Sequence, residues 1–146
     1  MFGSMIKEAN QREDAKSYMK LRGTFGKFQE AFKATLEPRP WLSLLSLTEC
    51  TNGTMSFNIY DTISISASFS MVVNEARTKR AGRIIFSRCD GDESKIIWVI
   101  YFDEAGDVCE TPYAETKAFN ILEIEGMDKL IMCLCDKCEP CFEVVG

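Results

Sequence analysis

Apolar residues recur at two different periods along the chain, and the change of period divides it. Over 24–36, Phe25, Phe28, Phe32 and Leu36 fall at i, i+3, i+7 and i+11, one stripe of a helix. Three phenylalanine rings on one face need a broad apolar surface to cover them, which makes them the expected anchor of helix on sheet. Residues 5–22 read as a preceding helix. Its apolar members are Met5, Ile6, Ala9, Tyr18, Met19 and Leu21 among many charges, a thin stripe that predicts a half-exposed element. Gly23 and Gly26 weaken the junction between the two stretches. Pro38 and Pro40 end the helical segment.

After Asn52-Gly53, the strongest short hairpin signal, the period becomes two. Met55, Phe57 and Ile59 alternate with Ser56, Asn58 and Tyr60. Ile63, Ile65, Ala67, Phe69, Met71 and Val73 alternate with Ser64, Ser66, Ser68 and Ser70, the pattern of a strand with one oily face. A two-residue turn at 61–62 would send these two apolar sets to opposite faces. A three-residue turn at 60–62 pairs Ile59 with Ile63 and keeps them together; a single strand bent at Asp61 is the alternative. Further strands are predicted at 82–88, 95–103, 107–110, 117–125 and 129–135, with another at 142–145. Residues 41–47 fit either strand or short helix. So do residues 129–135, where Gly126–Asp128 would turn a hairpin if the segment is a strand. Turns are expected at 90–93 and 104–107.

The run 95–103 is apolar on both sides. Ile96, Trp98, Ile100 and Phe102 fall on one face and Ile97, Val99 and Tyr101 on the other. Such a strand sits between a helix and something else: a further layer, a ligand cavity or a second subunit. The expected fold is α+β: an N-terminal helical segment packed on a curved antiparallel meander of five to seven strands.

The length of 146 residues suits one domain with its own core, and no linker or repeat divides 1–146. Gly3 and Ser4 ahead of Met5 read as a remnant of cloning. No apolar run reaches the ~20 residues a membrane helix needs, and no membrane contact is expected. Seven cysteines, an odd number, point to free thiols in a reducing cytoplasm.

Net charge is -5, unevenly spread. Residues 1–40 carry eight Lys/Arg against five Asp/Glu, while 90–146 carry four Lys against fourteen Asp/Glu. The acidic half either complements the basic helical half or meets a basic partner. Arg77, Lys79, Arg80 and Arg83 form a basic loop that reads as a solvated hairpin or, alternatively, an anion site. Overall acidity argues against general nucleic-acid binding.

Histidine is absent, which excludes catalytic triads and metal sites built on imidazole. No phosphate loop or dinucleotide fingerprint is present. Asp103, Glu104, Asp107 and Glu110 flank a turn, where carboxylates are ordinarily solvated rather than catalytic. Cys133, Cys135, Cys138 and Cys141 gather four thiols in nine residues. Such soft thiolates suit zinc first, or copper(I) or an iron–sulfur cluster, although strand spacing would hold Cys133 and Cys135 apart. No other cofactor is indicated.

The function these features favour is non-enzymatic: an interaction module that binds a protein partner or a second copy of itself. The alternatives are a small-ligand binder with Trp98, Tyr101 and Phe102 in its wall, and a thiolate metal protein.

Overall fold

The computed structural model describes residues 2–36, 45–60, 62–138 and 145. One unbroken helix, α1 (Phe2–Leu36), replaces the two predicted. It is about 52 Å long at 1.5 Å per residue. Its buried stripe of Leu21, Phe25, Phe28 and Phe32 runs straight through Gly23 and Gly26. Burying each large side chain is worth about 1.5–3 kcal/mol, more than the ~1 kcal/mol a helical glycine costs.

Seven strands follow as an antiparallel meander: β1 (Leu45–Thr51), β2 (Thr54–Ile59), β3 (Ile63–Val73), β4 (Arg80–Asp90), β5 (Glu93–Phe102), β6 (Asp107–Cys109) and β7 (Phe119–Asn120). The sheet curves into a half-barrel. Helix α2 (Ile124–Lys137) is the last element among the described residues. Asn52-Gly53 makes the β1–β2 turn, with Gly53 at φ 88°. Ile59 pairs with Ile63, so the oily faces of β2 and β3 coincide as the parity argument requires.

The inner face is a closed core. Its cross-strand rows include Phe69–Ile84–Ile100 and Ala67–Phe86–Trp98. α1 and α2 both pack on this side, and Met127, Leu130, Ile131 and Leu134 of α2 join the same apolar cluster. Polar contacts fix α1 at three heights. Asp14 pairs with the β3–β4 loop, Thr24 Oγ1 donates to the Glu104 carbonyl at 2.8 Å, and Gln29 Nε2 donates to the carbonyls of Thr51 and Thr54 at 2.8 and 3.0 Å.

Several expectations need correction. Residues 129–135 are helix: Met127, Leu130, Ile131, Leu134 and Cys138 are buried at helical spacing. Gly126–Asp128 therefore turns no hairpin. The predicted strand 117–125 shrinks to Phe119–Asn120, because Asn120 binds the neighbouring backbone with its side chain. Its Nδ2 donates to the Ala105 carbonyl, and its Oδ1 accepts from Leu122 N–H. A strand residue that captures backbone groups this way ends the ladder. Ile97 is an extra residue in β5, since Phe86 pairs with Trp98 but Ser87 with Ile96. That bulge moves Ile96 off the Trp98 face, and Ile96 is 60% exposed. Residues 41–44, and 142–144 of the last predicted strand, lie outside the described residues.

Candidate interaction surface

Alternation along each strand decides what the outer face carries. Ser70, Arg83, Tyr101 and Cys109 lie in one cross-strand row, and Ser68, Ile85 and Val99 in the next. Both rows point away from the helices, because their alternating neighbours Phe69, Ile84 and Ile100 face the core. Two regions result. β2 and β3 present hydroxyls, chiefly Ser56, Ser64, Ser66 and Ser68. β4 and β5 present Ile85, Val99 and Tyr101 around Arg83. Among the described residues no helix or strand layer covers this side.

Arg83 Nε donates to Ser70 Oγ at 3.0 Å, which fixes the guanidinium along its row. No carboxylate among the described residues pairs with it. Tyr113, in the loop after β6, adopts φ 64° and borders Tyr101. Burial, with the neighbouring Tyr101 phenol, pushes the Tyr113 phenol above its ordinary value. While both states stay neutral the shift has no effect on stability; as pH rises past the unfolded tyrosine value of about 10, the unfolded chain ionises more readily than the folded one and stability falls. Tyr113→Phe is therefore expected to flatten the alkaline limb of a stability–pH curve and leave neutral stability nearly unchanged. Thermal melts from pH 8 to 11 check this.

The four basic residues of the predicted anion site are not brought together. Arg77 Nη1 and Arg80 Nε both bind the Asp14 carboxylate, at 2.8 and 2.7 Å. Lys79 is exposed, and its backbone N–H donates to Asn74 Oδ1. Arg83 belongs to the outer face. The pair on Asp14 docks the hairpin onto α1, with the Arg80 side chain only 12% exposed. Removing the carboxylate strands a nearly buried guanidinium, so Asp14→Ala should cost about 1–3 kcal/mol in urea denaturation. Asp14→Glu should recover part of that.

Trp98, Tyr101 and Phe102 do not share a wall. Trp98 and Phe102 are core residues, 6% and 1% exposed, and Trp98 stacks on Phe86 at 5.5 Å between centroids. Its Nε1 is buried without a hydrogen-bond partner among the described residues. Tyr101 points to the other face. A separate cleft of about 290 Å³ opens between α1 and the start of α2, lined by Ala31, Ala34, Thr35, Leu122, Ile124 and Met127 with Glu123 at its edge.

Cys133 and Cys135 lie on α2 rather than on a strand, and Cys138 ends it, buried. Residues two apart on a helix point about 160° apart at 3.6 residues per turn. Among the described residues no three Cys, Asp or Glu side chains converge as metal donors, so those that are placed do not form a zinc site; Cys141 lies outside them. Two of the turn carboxylates, Asp103 and Asp107, serve structure. Asp103 Oδ1 accepts from the N–H groups of Ala105 and Asp107, and Asp107 Oδ1 accepts from Asn120 Nδ2.

The second apolar side of β5 is legible in the sequence, but nothing in it marks Val99, Ile85 or Ser70 as site residues. Strand register alone brings these three beside Arg83. Comparison with protein families, with characterised proteins and with solved structures found no match.

Proposed function

We propose that the protein is a binding module without catalytic activity, and that it holds a protein partner on the outer face of β4 and β5. One observation carries this reading. β5 buries Trp98, Ile100 and Phe102 under the helices, yet Val99 and Tyr101 on its other side, beside Ile85, meet no further layer among the described residues. Tyrosine and arginine framed by aliphatic side chains and hydroxyls is the composition of an interaction hot spot with a polar rim. The absence of histidine and the structural employment of Asp103 and Asp107 support a role in binding rather than turnover.

The test compares wild type with the double variant Ile85→Glu, Val99→Lys, each immobilised and exposed to native extract. Wild type is expected to retain a partner in near-stoichiometric amount, and the variant to lose it while keeping the same melting temperature within a few degrees. Identical retention by both proteins would refute the assignment of this face.

A further inference from the structure

We infer that the partner segment on this face carries a carboxylate beside apolar side chains, and that Arg83 is the residue that reads it. The inference rests on the reading of the outer face as the binding surface, and it deepens that reading.

Arg83 differs from the arginines around it. Arg77 and Arg80 share Asp14, and Arg88 pairs with Asp90 at 3.3 Å. Arg83 spends only Nε, on the neutral Ser70 hydroxyl. Its terminal nitrogens have no carboxylate among the described residues, although the side chain is half-buried. The outward side chains of β3, of β4 and of β5 from Ile96 to Tyr101 include no Asp or Glu. A guanidinium held by one nitrogen presents the others as a fork, which matches a carboxylate in two parallel hydrogen bonds. Ile85 and Val99 in the adjoining row supply the apolar ground beside it.

Charge selects among possible occupants. A second copy pairing this face across a two-fold axis would meet itself. It would bring a cation and hydroxyls to a cation and hydroxyls, with no anion to match. A nucleic acid would meet a single cation on a chain of net charge -5, whereas phosphate backbones are held by several. One carboxylate on an otherwise apolar protein segment fits both the fork and its surroundings.

A random peptide library displayed on phage and panned against the intact chain tests this. Enriched peptides, synthesised and titrated by calorimetry, are expected to share an Asp or Glu next to apolar residues. Amidating that acid to Asn or Gln should weaken binding about tenfold, the share of one charge-assisted pair. Arg83→Met should weaken the acidic peptide to the same degree and leave the amide peptide unaffected, so that the double-mutant cycle assigns the effect to the pair. Arg83→Lys keeps the charge without the fork and should fall between. Thermal melts of each variant separate lost binding from lost folding. Peptides that bind through Ile85 and Val99 but lack an acid, or ignore Arg83→Met, would overturn the inference and leave the binding face standing. Failure to enrich any peptide, or binding indifferent to Ile85→Glu, would overturn both.

Discussion

Phe28→Ala is expected to destabilise the chain by about 3–5 kcal/mol, the cost of a phenylalanine-sized cavity in a core that collapses only partly. Phe28 is fully buried. Its ring lies 5.6 Å from that of Phe25 and 6.1 Å from that of Phe32, and Phe32 continues the chain of rings to Phe57 at 4.9 Å. The loss falls where α1 meets the inner face of the sheet. Against a typical total of 5–15 kcal/mol, it removes a large fraction of the stability. Urea denaturation followed by circular dichroism measures it. A cost below about 1 kcal/mol would mean that α1 does not rest on the sheet through these rings, and the layered arrangement would fall with it.

Gly126→Ala is expected to destabilise the chain by about 1–3 kcal/mol or more, through a forced backbone shift. A Cβ at this position would run into the backbone carbonyl oxygen of Asn120. That carbonyl cannot simply retreat. It accepts from Glu123 N–H, and the Asn120 side chain is tied to Ala105, Asp107 and Leu122. The glycine is thus what lets α2 start close against β7. Gly23→Ala is the matched control, since a Cβ there meets nothing within 4 Å. Improved helix propensity should make it stabilising by about 0.5–1 kcal/mol. Opposite signs for the two substitutions, read from the same denaturation curves, are the expected result. Equal effects would mean that α2 does not approach Asn120 as described.

Periodicity carried much of the fold and little of the site. The Phe25, Phe28, Phe32 stripe and the odd-position alternation of β2 and β3 survive intact because each is fixed by burial of one face. The unbroken helix was hidden by Gly23 and Gly26, whose local cost is outweighed by tertiary packing on either side. The segment 129–135 was ambiguous because apolar residues occupy most of its positions, so both periods fit; the spacing of Leu130, Ile131 and Leu134 within α2 resolves it. The bulge at Ile97 has no signature in sequence, and it separates Ile96 from Trp98. Tyr101 could have been set apart from Trp98 and Phe102 by strict alternation alone. Arg83 could not have been separated from Arg77 and Arg80, because the division depends on Asp14, more than sixty residues earlier in the chain.

Carbene footprinting of the chain, free and in the complex recovered from native extract, locates the face that the partner covers. Ile85, Val99 and Tyr101 are expected to be protected on binding, with labelling of Met19 and Met132, which are exposed elsewhere on the molecule, unchanged. Protection confined to α1 around Met5, Ile6 and Met19, with the outer sheet labelled as before, would contradict it.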